Sequence, residues 1–303
     1  MAQTGQWPAR PFFDELGADI SMIWKIRAAA LTLERPLMMG VLNLTPDSFY
    51  DGGRFLNPAQ AVEQAFRLIQ EGADILDVGA ESTKPAAKPV SAEEEWHRLA
   101  PVLEALKGQV QVPISVDTTK AQVAKRALES GAQIINDVSG LRNDPKLAEV
   151  VREFDAGLVL MHRRGTPETM QLMADYRDVV EEVSRELSES MAIAEASGVS
   201  SDKIVLDPGI GFSKTADQSL ELIERLAEFK RLGRPLLIGP SRKSFIGQVT
   251  KMAPDRRLFG TTAACVLAFE RGANIFRVHD VWAVKEAILV AGAILNSGKK
   301  ISL

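Results

Sequence analysis

The 303-residue chain carries a formal charge of -4, and hydrophobic residues make up 46% of it. These values are typical of a globular protein with one large domain, and they argue against a nucleic-acid-binding surface. No apolar run is long enough to cross a membrane, and the first residues, MAQTGQWPAR, lack the basic start and apolar core of a secretory signal. We therefore expect a cytoplasmic protein with neither nucleic-acid nor membrane partners.

Soft metal ligands are scarce in this chain, which has one cysteine and three histidines. The cysteine, Cys265, lies in an apolar helical pattern, TTAACVLAF, which is typical of a buried small side chain. This composition argues against a dedicated zinc site. Any bound metal is therefore expected to be a hard cation held by oxygen atoms.

Residues 1–17 show no regular pattern, and residues 21–34 show the partial alternation of a short hairpin that suits one end of a barrel. From residue 37 onward, short apolar segments of strand length alternate with longer segments of helical period. The predicted strands are residues 37–43, 74–79, 112–117, 133–138, 157–162, 203–207, 235–239 and 274–278. The predicted helices are residues 58–70, 92–107, 120–129, 145–154, 168–196, 218–231, 256–271 and 283–295.

This alternation predicts an α/β fold, a (β/α)8 TIM barrel with an N-terminal extension. We predict two parts, an arm with a barrel-plugging hairpin over residues 1–36 and the barrel over residues 37–303. An open doubly wound sheet is the alternative. The barrel is favoured because no G-x-G-x-x-G follows the first strand and because polar residues end every predicted strand.

Polar residues at the carboxyl ends of these strands would form one ring, which is where barrels of this class hold their active sites. The ring comprises Asn43, Asp47, Asp77, residues 81–84, Asp117, Asn136, Asp137, His162, Arg163, Asp207, residues 241–243, Arg277, His279 and Asp280. So many carboxylates, amides and cations need partners or a polar ligand. A ligand rich in hydrogen-bond donors and acceptors is therefore expected.

Three ring residues, Asp117, Asn136 and Asp207, end three different apolar strands. A carboxylate on a rigid strand can accept two parallel N–H bonds from the edge of a flat heterocycle. One such residue could simply cap a helix or bond a neighbouring strand. Three on one rim favour a binding site.

Cationic residues follow the last two predicted strands. Arg242 and Lys243 come after strand seven, and alternation along strand eight points Arg277 and His279 to the same side. Loops after strands seven and eight of such barrels often hold phosphate, although salt bridges to ring carboxylates are the alternative. His162, which precedes a Gly-Thr-Pro turn, is interpreted as structural.

The first strand ends at Asn43, whose amide oxygen is a ligand that magnesium accepts alongside water and phosphate oxygens. The loop that follows, TPDSFYDGG, and a second loop, ESTKP, could close over a substrate and exclude water. An ordinary surface turn is the alternative for each loop. Phe49 argues against it, since an exposed aromatic ring on a turn implies a contact.

Eight motifs occur in the order and spacing found in bacterial dihydropteroate synthases: NLTPDSFYDGG, ESTKP, SVDT, INDVSG, MHRRGTPETMQ, DPGIGF, GPSRKSFIG and FRVHDV. The resemblance runs from about residue 37 almost to the end of the chain. It implies a transferase of folate biosynthesis with Mg2+ as cofactor. In that reaction (7,8-dihydropterin-6-yl)methyl diphosphate condenses with 4-aminobenzoate to give 7,8-dihydropteroate and diphosphate. The resemblance also implies a homodimer and competition by sulfonamides.

The resemblance assigns roles to individual residues. The pterin ring would be held by Asp117, Asn136, Asp207 and Lys243. Magnesium would contact Asn43, and the diphosphate-bearing substrate would contact Thr83, Lys84, Arg277 and His279. The aminobenzoate pocket would be formed by Phe49, Pro85, Phe212 and Ser244.

The chemistry implied by the resemblance needs no covalent enzyme intermediate. Asp117 would stabilise the cation that forms at the pterin methylene, while magnesium, Arg277 and His279 would neutralise the departing charge. With Lys243, these residues form the expected catalytic set.

The second loop departs from the family pattern, which usually reads Gly-Gly-Glu-Ser-Thr-Arg-Pro-Gly. Lys84 keeps the positive charge but lacks the guanidinium fork that grips phosphate at two points. Ala86 restricts a backbone that glycine would leave free. Two alternatives therefore stay open, a paralogue that binds pterin without condensing it and a methyltetrahydrofolate-dependent methyltransferase. The motifs suited to a diphosphate argue against the methyltransferase.

Overall fold

The computed structural model describes residues 22–45, 50–51, 55–56, 58–85 and 87–297. The strands are β1 (Ile23–Ile26), β2 (Ala29–Thr32), β3 (Leu37–Asn43), β4 (Tyr50–Asp51), β5 (Phe55–Leu56), β6 (Ile75–Gly79), β7 (Ile114–Asp117), β8 (Ile134–Asp137), β9 (Gly157–Met161), β10 (Ile204–Asp207), β11 (Leu237–Ile238) and β12 (Ile275–Val278). The helices are α1 (Pro58–Gln70), α2 (Ala92–Leu106), α3 (Ala121–Glu129), α4 (Lys146–Glu153), α5 (Val179–Ala196), α6 (Ala216–Glu224), α7 (Ser244–Thr250), α8 (Leu258–Glu270) and α9 (Val281–Asn296).

Eight parallel strands form one sheet in the order β10, β9, β8, β7, β6, β3, β12, β11. The two ends of this sheet meet, because the backbone N–H of Leu206 donates to the carbonyl of Pro235 at 3.0 Å and Leu206 bridges Leu236. The predicted (β/α)8 barrel is therefore confirmed, and the open doubly wound sheet is wrong.

Strand seven is shorter than predicted, since it spans Leu237–Ile238 rather than residues 235–239. Pro235 has no backbone N–H and can join the ladder only through its carbonyl. The predicted helix over residues 168–196 is also divided, because a 3-10 turn over Met170–Met173 precedes α5. Helix α7 was not predicted.

The hairpin of β1 and β2 closes the amino-terminal end of the barrel, as predicted. The side chain of Trp24 is fully buried, and its indole N–H donates to the carbonyl of Lys203 at 2.8 Å. The hairpin and the strand starts form one apolar cluster, which we call the lower cluster: Trp24, Ile26, Leu33, Leu37, Met39, Ile75, Ile134, Val159, Val205, Leu237 and Ile275. Residues 1–17 lie outside the described residues, and the division at residue 36 stays a prediction.

Gly157, the first residue of β9, lets the hairpin approach the barrel closely. A Cβ atom at this position would lie 2.8 Å from Cγ2 of Ile26 and 3.3 Å from the ring of Trp24. The first contact is closer than real Cβ atoms come, and the second would require the Trp24 ring to shift slightly. Glycine here therefore allows Trp24 and Ile26 to fill the barrel end.

Candidate active site

Arg277, in β12, links two carboxylates at the carboxyl end of the barrel. Its Nε donates to Oδ2 of Asp77 at 2.6 Å, and its Nη2 donates to Oδ2 of Asp117 at 2.8 Å. Burial alone would lower the pKa of Arg277, but the two carboxylates raise it above its usual range. The guanidinium therefore stays charged. Its two bonds tie β12 to β6 and β7, which are distant from β12 in the sequence.

Asp77 organises this part of the ring. Its side chain is fully buried, and its carboxylate also accepts hydrogen bonds from Oγ of Ser115 at 2.6 Å and from Nδ2 of Asn136 at 3.1 Å. These bonds orient Asn136 and Arg277 relative to each other. The sequence placed Asp77 in the ring but gave it no role. The register between β6 and β7, which pairs Asp77 with Ser115, is the feature that assigns it.

Asp117, the last residue of β7, lies beside the positive charge of Arg277. Burial raises the pKa of the Asp117 carboxyl, Arg277 opposes that rise and Asp77 reinforces it. Charge interactions are stronger in such a poorly solvated site than in water. Burial thus raises the pKa of Asp117 to about 7, and the ionised form is suited to stabilise positive charge that develops on a ligand.

Asp207 ends β10 and begins a tight glycine-containing turn. Its Oδ1 accepts a hydrogen bond from the backbone N–H of Gly209 at 2.7 Å, and burial raises the pKa of its carboxyl. Gly209 has φ +71°, and a Cβ atom there would lie 2.0 Å from the carbonyl oxygen of His162. Only glycine fits this turn, which carries the chain from Asp207 to Phe212.

Lys243 reaches the same turn from the far side. Its Nζ lies 4.1 Å from the centroid of the Phe212 ring and donates to the carbonyl of Ile210. Burial lowers the pKa of Lys243 to about 7, although Asp207 opposes the shift. Both protonation states are therefore populated near neutral pH. Ser244, the next residue, is exposed at the start of α7.

A second group of polar side chains lies where β3, β11 and β12 end. Nδ2 of Asn43 lies 3.5 Å from Nε2 of His279, and Oγ of Ser241 lies 3.0 Å from Nδ1 of the same ring. Burial lowers the pKa of His279 to about 4, so this imidazole is neutral at pH 7. Arg242 instead forms a two-point ion pair with Asp280 at 2.9 and 2.5 Å. Arg242 and Arg277 thus both pair with ring carboxylates.

Comparison with known proteins identifies the family. The family model described as "Pterin binding enzyme" matches residues 39–279. The chain is 47% identical over 262 residues to the dihydropteroate synthase of Synechocystis, covering 86% of this chain and 91% of that protein. It is 45% identical over 271 residues to the Escherichia coli K12 dihydropteroate synthase, covering 89% and 96%. The chain belongs to the dihydropteroate synthase family.

Solved structures of this family share the fold. A Xanthomonas albilineans dihydropteroate synthase with 4-aminobenzoic acid matches with a TM-score of 0.85 and 42% identity, covering 91% of this chain and 99% of that chain. A Yersinia pestis dihydropteroate synthase in complex with a sulfonamide drug matches with a TM-score of 0.86 and 39% identity, covering 91% and 100%. A further X. albilineans structure contains 7,8-dihydropteroate, with a TM-score of 0.81 and 40% identity, covering 90% of this chain and 98% of that chain.

Asn43, the expected magnesium contact, lies at the edge of an open cavity. A cavity of about 340 Å³ adjoins Asn43 and His279 and is also bounded by Arg67, Glu71 and Asp280. The described residues contain no group of three or more His, Cys, Asp or Glu side chains that could hold a metal ion. A single amide oxygen beside an open cavity fits magnesium, which usually keeps several waters and binds substrate phosphates.

The second loop approaches the site only in part. Thr83 is half-buried and borders a cavity of about 120 Å³ together with Asp117, whereas Lys84 and Pro85 are exposed. Glu81, at the start of the loop, pairs with Lys120 at 2.5 Å. Phe49 and Ala86, which the sequence analysis also singled out in the synthase loops, lie outside the described residues.

His162 lies in a buried network behind the site. The carboxylate of Glu186 can only accept, so Nε2 of His162 donates to it at 3.0 Å and Nδ1 is left to accept from Nζ of Lys214 at 2.9 Å. Burial lowers the pKa of His162 to about 3. Lys214 also donates to the carbonyl of Phe212 at 2.9 Å, which ties this network to the turn after Asp207.

Proposed function

We propose that this protein is a dihydropteroate synthase, which condenses (7,8-dihydropterin-6-yl)methyl diphosphate with 4-aminobenzoate and releases diphosphate. The observation that carries the proposal is the 2.8 Å ion pair between Asp117 and Arg277. It joins the residues expected to hold the pterin to those expected to bind the diphosphate. In the substrate, the bond that breaks in the proposed reaction lies between the pterin methylene and the diphosphate.

In this reaction Asp117 stabilises the positive charge that develops at the pterin methylene as the C–O bond to diphosphate breaks. Arg277 supplies charge to the departing oxygens, and neutral His279 offers a hydrogen bond. Asn43 would hold magnesium, which would supply further positive charge to the leaving group. The relatives crystallised with 4-aminobenzoic acid and with 7,8-dihydropteroate support this substrate and product.

The amine of 4-aminobenzoate then attacks the methylene carbon directly. No enzyme nucleophile takes part in this step. Cys265 cannot serve as one, because its side chain is fully buried in α8 and burial raises the pKa of its thiol well above its usual value.

The proposal is tested by mixing the purified protein with dihydropterin diphosphate, 4-aminobenzoate and magnesium and by following dihydropteroate formation. We expect catalytic turnover that EDTA abolishes and that added magnesium restores. Pterin binding without product would contradict the synthase assignment and would leave a pterin-binding paralogue. Methyl transfer from methyltetrahydrofolate, measured in parallel, would identify the methyltransferase instead.

The magnesium assignment has its own test. Asn43→Ala should raise the magnesium concentration needed for half-maximal activity by about tenfold, because one of the few protein ligands is lost. Gln122→Ala, which removes an exposed amide on α3 that lines neither cavity, serves as the control. An unchanged magnesium requirement in Asn43→Ala would contradict this role.

We also propose that the protein forms a homodimer through its last two helices. Helices α8 and α9 expose several large apolar side chains: Phe259, Leu267, Trp282, Val290 and Ile294. Such a patch on a folded surface commonly marks a protein contact. Ile294→Glu should yield monomers in sedimentation analysis, whereas Leu172→Glu, which changes an exposed leucine outside these helices, should not. A wild-type monomer would contradict the proposal.

The cytoplasm is the proposed location. The described residues include no helix of the length and apolar character that a membrane span requires. The single cysteine cannot form a disulfide within the chain, which suits a reducing compartment. Cell fractionation should recover dihydropteroate synthase activity with cytoplasmic markers, and recovery with membranes would contradict this location.

A further inference from the structure

Arg163, which follows β9, is a buried arginine without a partner. Its residue exposure is 5%, and it forms no hydrogen bond or ion pair with the part of the chain that the structure describes. Burial lowers the pKa of its guanidinium, and the nearby carboxylates of Asp137, Asp117 and Glu81 act in the opposite direction. A buried guanidinium with unused donors costs free energy unless a ligand supplies acceptors.

Arg163 lines the 120 Å³ cavity that Thr83 and Asp117 also border. The cavity lies between the second loop and the ends of β7, β8 and β9, and its other polar lining includes Ser82 and Asn143. This space holds several waters or one small oxyanion. The cavity therefore lies next to the proposed reaction centre, with the Arg163 side chain in its lining.

The charged residues that line the cavity differ in whether they already have a partner. Two of the carboxylates that line it already have cationic partners, since Glu81 pairs with Lys120 at 2.5 Å and Asp117 pairs with Arg277 at 2.8 Å. Glu168, the third, is exposed to solvent. Of the two cations in the lining, Lys120 bonds Glu81 whereas Arg163 bonds no carboxylate, and an oxyanion would offer its guanidinium two parallel hydrogen bonds.

We propose that Arg163 binds the diphosphate of the pterin substrate and acts as a second guanidinium beside Arg277. This inference rests on the proposed function, in which Thr83 contacts the diphosphate-bearing substrate. Arg163 and Thr83 share one cavity, and Asp117 joins that cavity to Arg277. Lys84, in the second loop with Thr83, is exposed and has no guanidinium group. Arg163 therefore supplies the two-point guanidinium contact to the diphosphate that Lys84 cannot make.

The test compares Arg163→Met, Arg163→Lys and the wild-type protein by calorimetric titration. The ligands are dihydropterin diphosphate, inorganic diphosphate, and 6-hydroxymethyl-dihydropterin, which lacks the diphosphate. Arg163→Met should weaken both diphosphate ligands by about tenfold or more and leave the diphosphate-free pterin within about twofold. Arg163→Lys should recover part of the loss. Arg185→Met, which removes the same charge from the exposed side of α5, should change neither affinity.

Three results would overturn this inference. Equal weakening of pterin with and without diphosphate would show that Arg163 only shapes the site. A rise confined to the KM for 4-aminobenzoate would show that the cavity binds its carboxylate. Unchanged diphosphate affinity would show that Arg163 has no part in binding. If the wild-type protein forms no dihydropteroate, the proposed function fails, yet the titrations still decide whether Arg163 binds diphosphate.

Discussion

The two ends of the barrel differ sharply, although the same strands build both. At the amino-terminal end, the lower cluster contains apolar side chains alone, and the hairpin seals it with Trp24 and Ile26. At the carboxyl end, Asp77, Asp117 and Arg277 meet within hydrogen-bonding distance. Apolar burial stabilises the lower end, whereas the upper end keeps charges that cost free energy to bury. The difference separates stability from function within one set of strands.

The largest effect on stability should come from the lower end. Trp24→Ala removes a fully buried ring and its hydrogen bond to Lys203, and should lower the free energy of unfolding by about 3–5 kcal/mol. The kcat/KM of the folded protein should stay unchanged. Urea denaturation and the synthase assay measure the two quantities.

Ile23→Ala is the matched control for this substitution, because Ile23 neighbours Trp24 but is 45% exposed. It should change the free energy of unfolding by no more than about 0.5 kcal/mol. The separation of the two ends would be wrong if Trp24→Ala reduced kcat/KM as strongly as a rim substitution does.

The upper end should show the opposite behaviour in Arg277→Met. Loss of the guanidinium should reduce kcat/KM by about 100-fold or more, as expected for a group that stabilises transition-state charge. Asp117 would also lose its cation, so burial would raise its pKa further and it would bind a proton in the folded state. Because the folded state would then bind more protons than the unfolded state, stability should fall as pH rises above about 4. A destabilisation independent of pH would contradict this reading.

An effect that appears only in acid is expected at the buried network behind the rim. The pKa of His162 is about 3 in the folded protein, against a usual value of 6.5. Between these values the unfolded state binds more protons, so stability should fall as pH drops from about 6.5 towards 3, by up to about 1.4 kcal/mol per pH unit. His162→Gln should flatten this slope in denaturation curves, and His97→Gln, which changes an exposed residue on α2, should not. An identical slope in His162→Gln would refute the assignment.

The smallest effect concerns the second loop. Lys84→Arg should tighten dihydropterin diphosphate binding by about twofold to fivefold, since a fork replaces a point charge. The gain should be larger in the Arg163→Met background, where no other unpaired guanidinium shares the diphosphate. A double-mutant cycle measures this coupling. Equal gains in both backgrounds would show that the two positions act independently.

The sequence predicted the strands, the plug and the ring because each of these follows from a short-range pattern. Period-two and helical spacing located the barrel strands, and strand ends identified Asn43, Asp117, Asn136 and Asp207 as rim residues. Strand β11 is shorter than predicted because Pro235 shortens the hydrogen-bond ladder. Helix α7 was missed because a seven-residue helix gives little periodic signal.

Side-chain partners could not be predicted from the sequence. Arg277 pairs with Asp77, which lies 200 positions away in the sequence, and with Asp117, which lies 160 positions away. Closure of the barrel brings these side chains together, and no local sequence pattern indicates it. The same holds for Arg163, because no local pattern in the sequence indicates that its Nε lacks a hydrogen-bond partner. The sequence therefore predicts which residues lie at the carboxyl end of the barrel. It does not predict which partner each charged side chain bonds.

One pair of measurements on Asp207→Asn tests most directly whether the upper end keeps its charges for a ligand. The amide can still accept the hydrogen bond from Gly209, and burial raises the pKa of Asp207, so the free energy of unfolding should stay equal or increase. Pterin affinity should be lost, by about 100-fold or more, because the amide nitrogen would face a donor. Asp202→Asn, near the other end of β10, should leave pterin affinity unchanged. Unchanged pterin affinity together with reduced stability in Asp207→Asn would contradict the central claim.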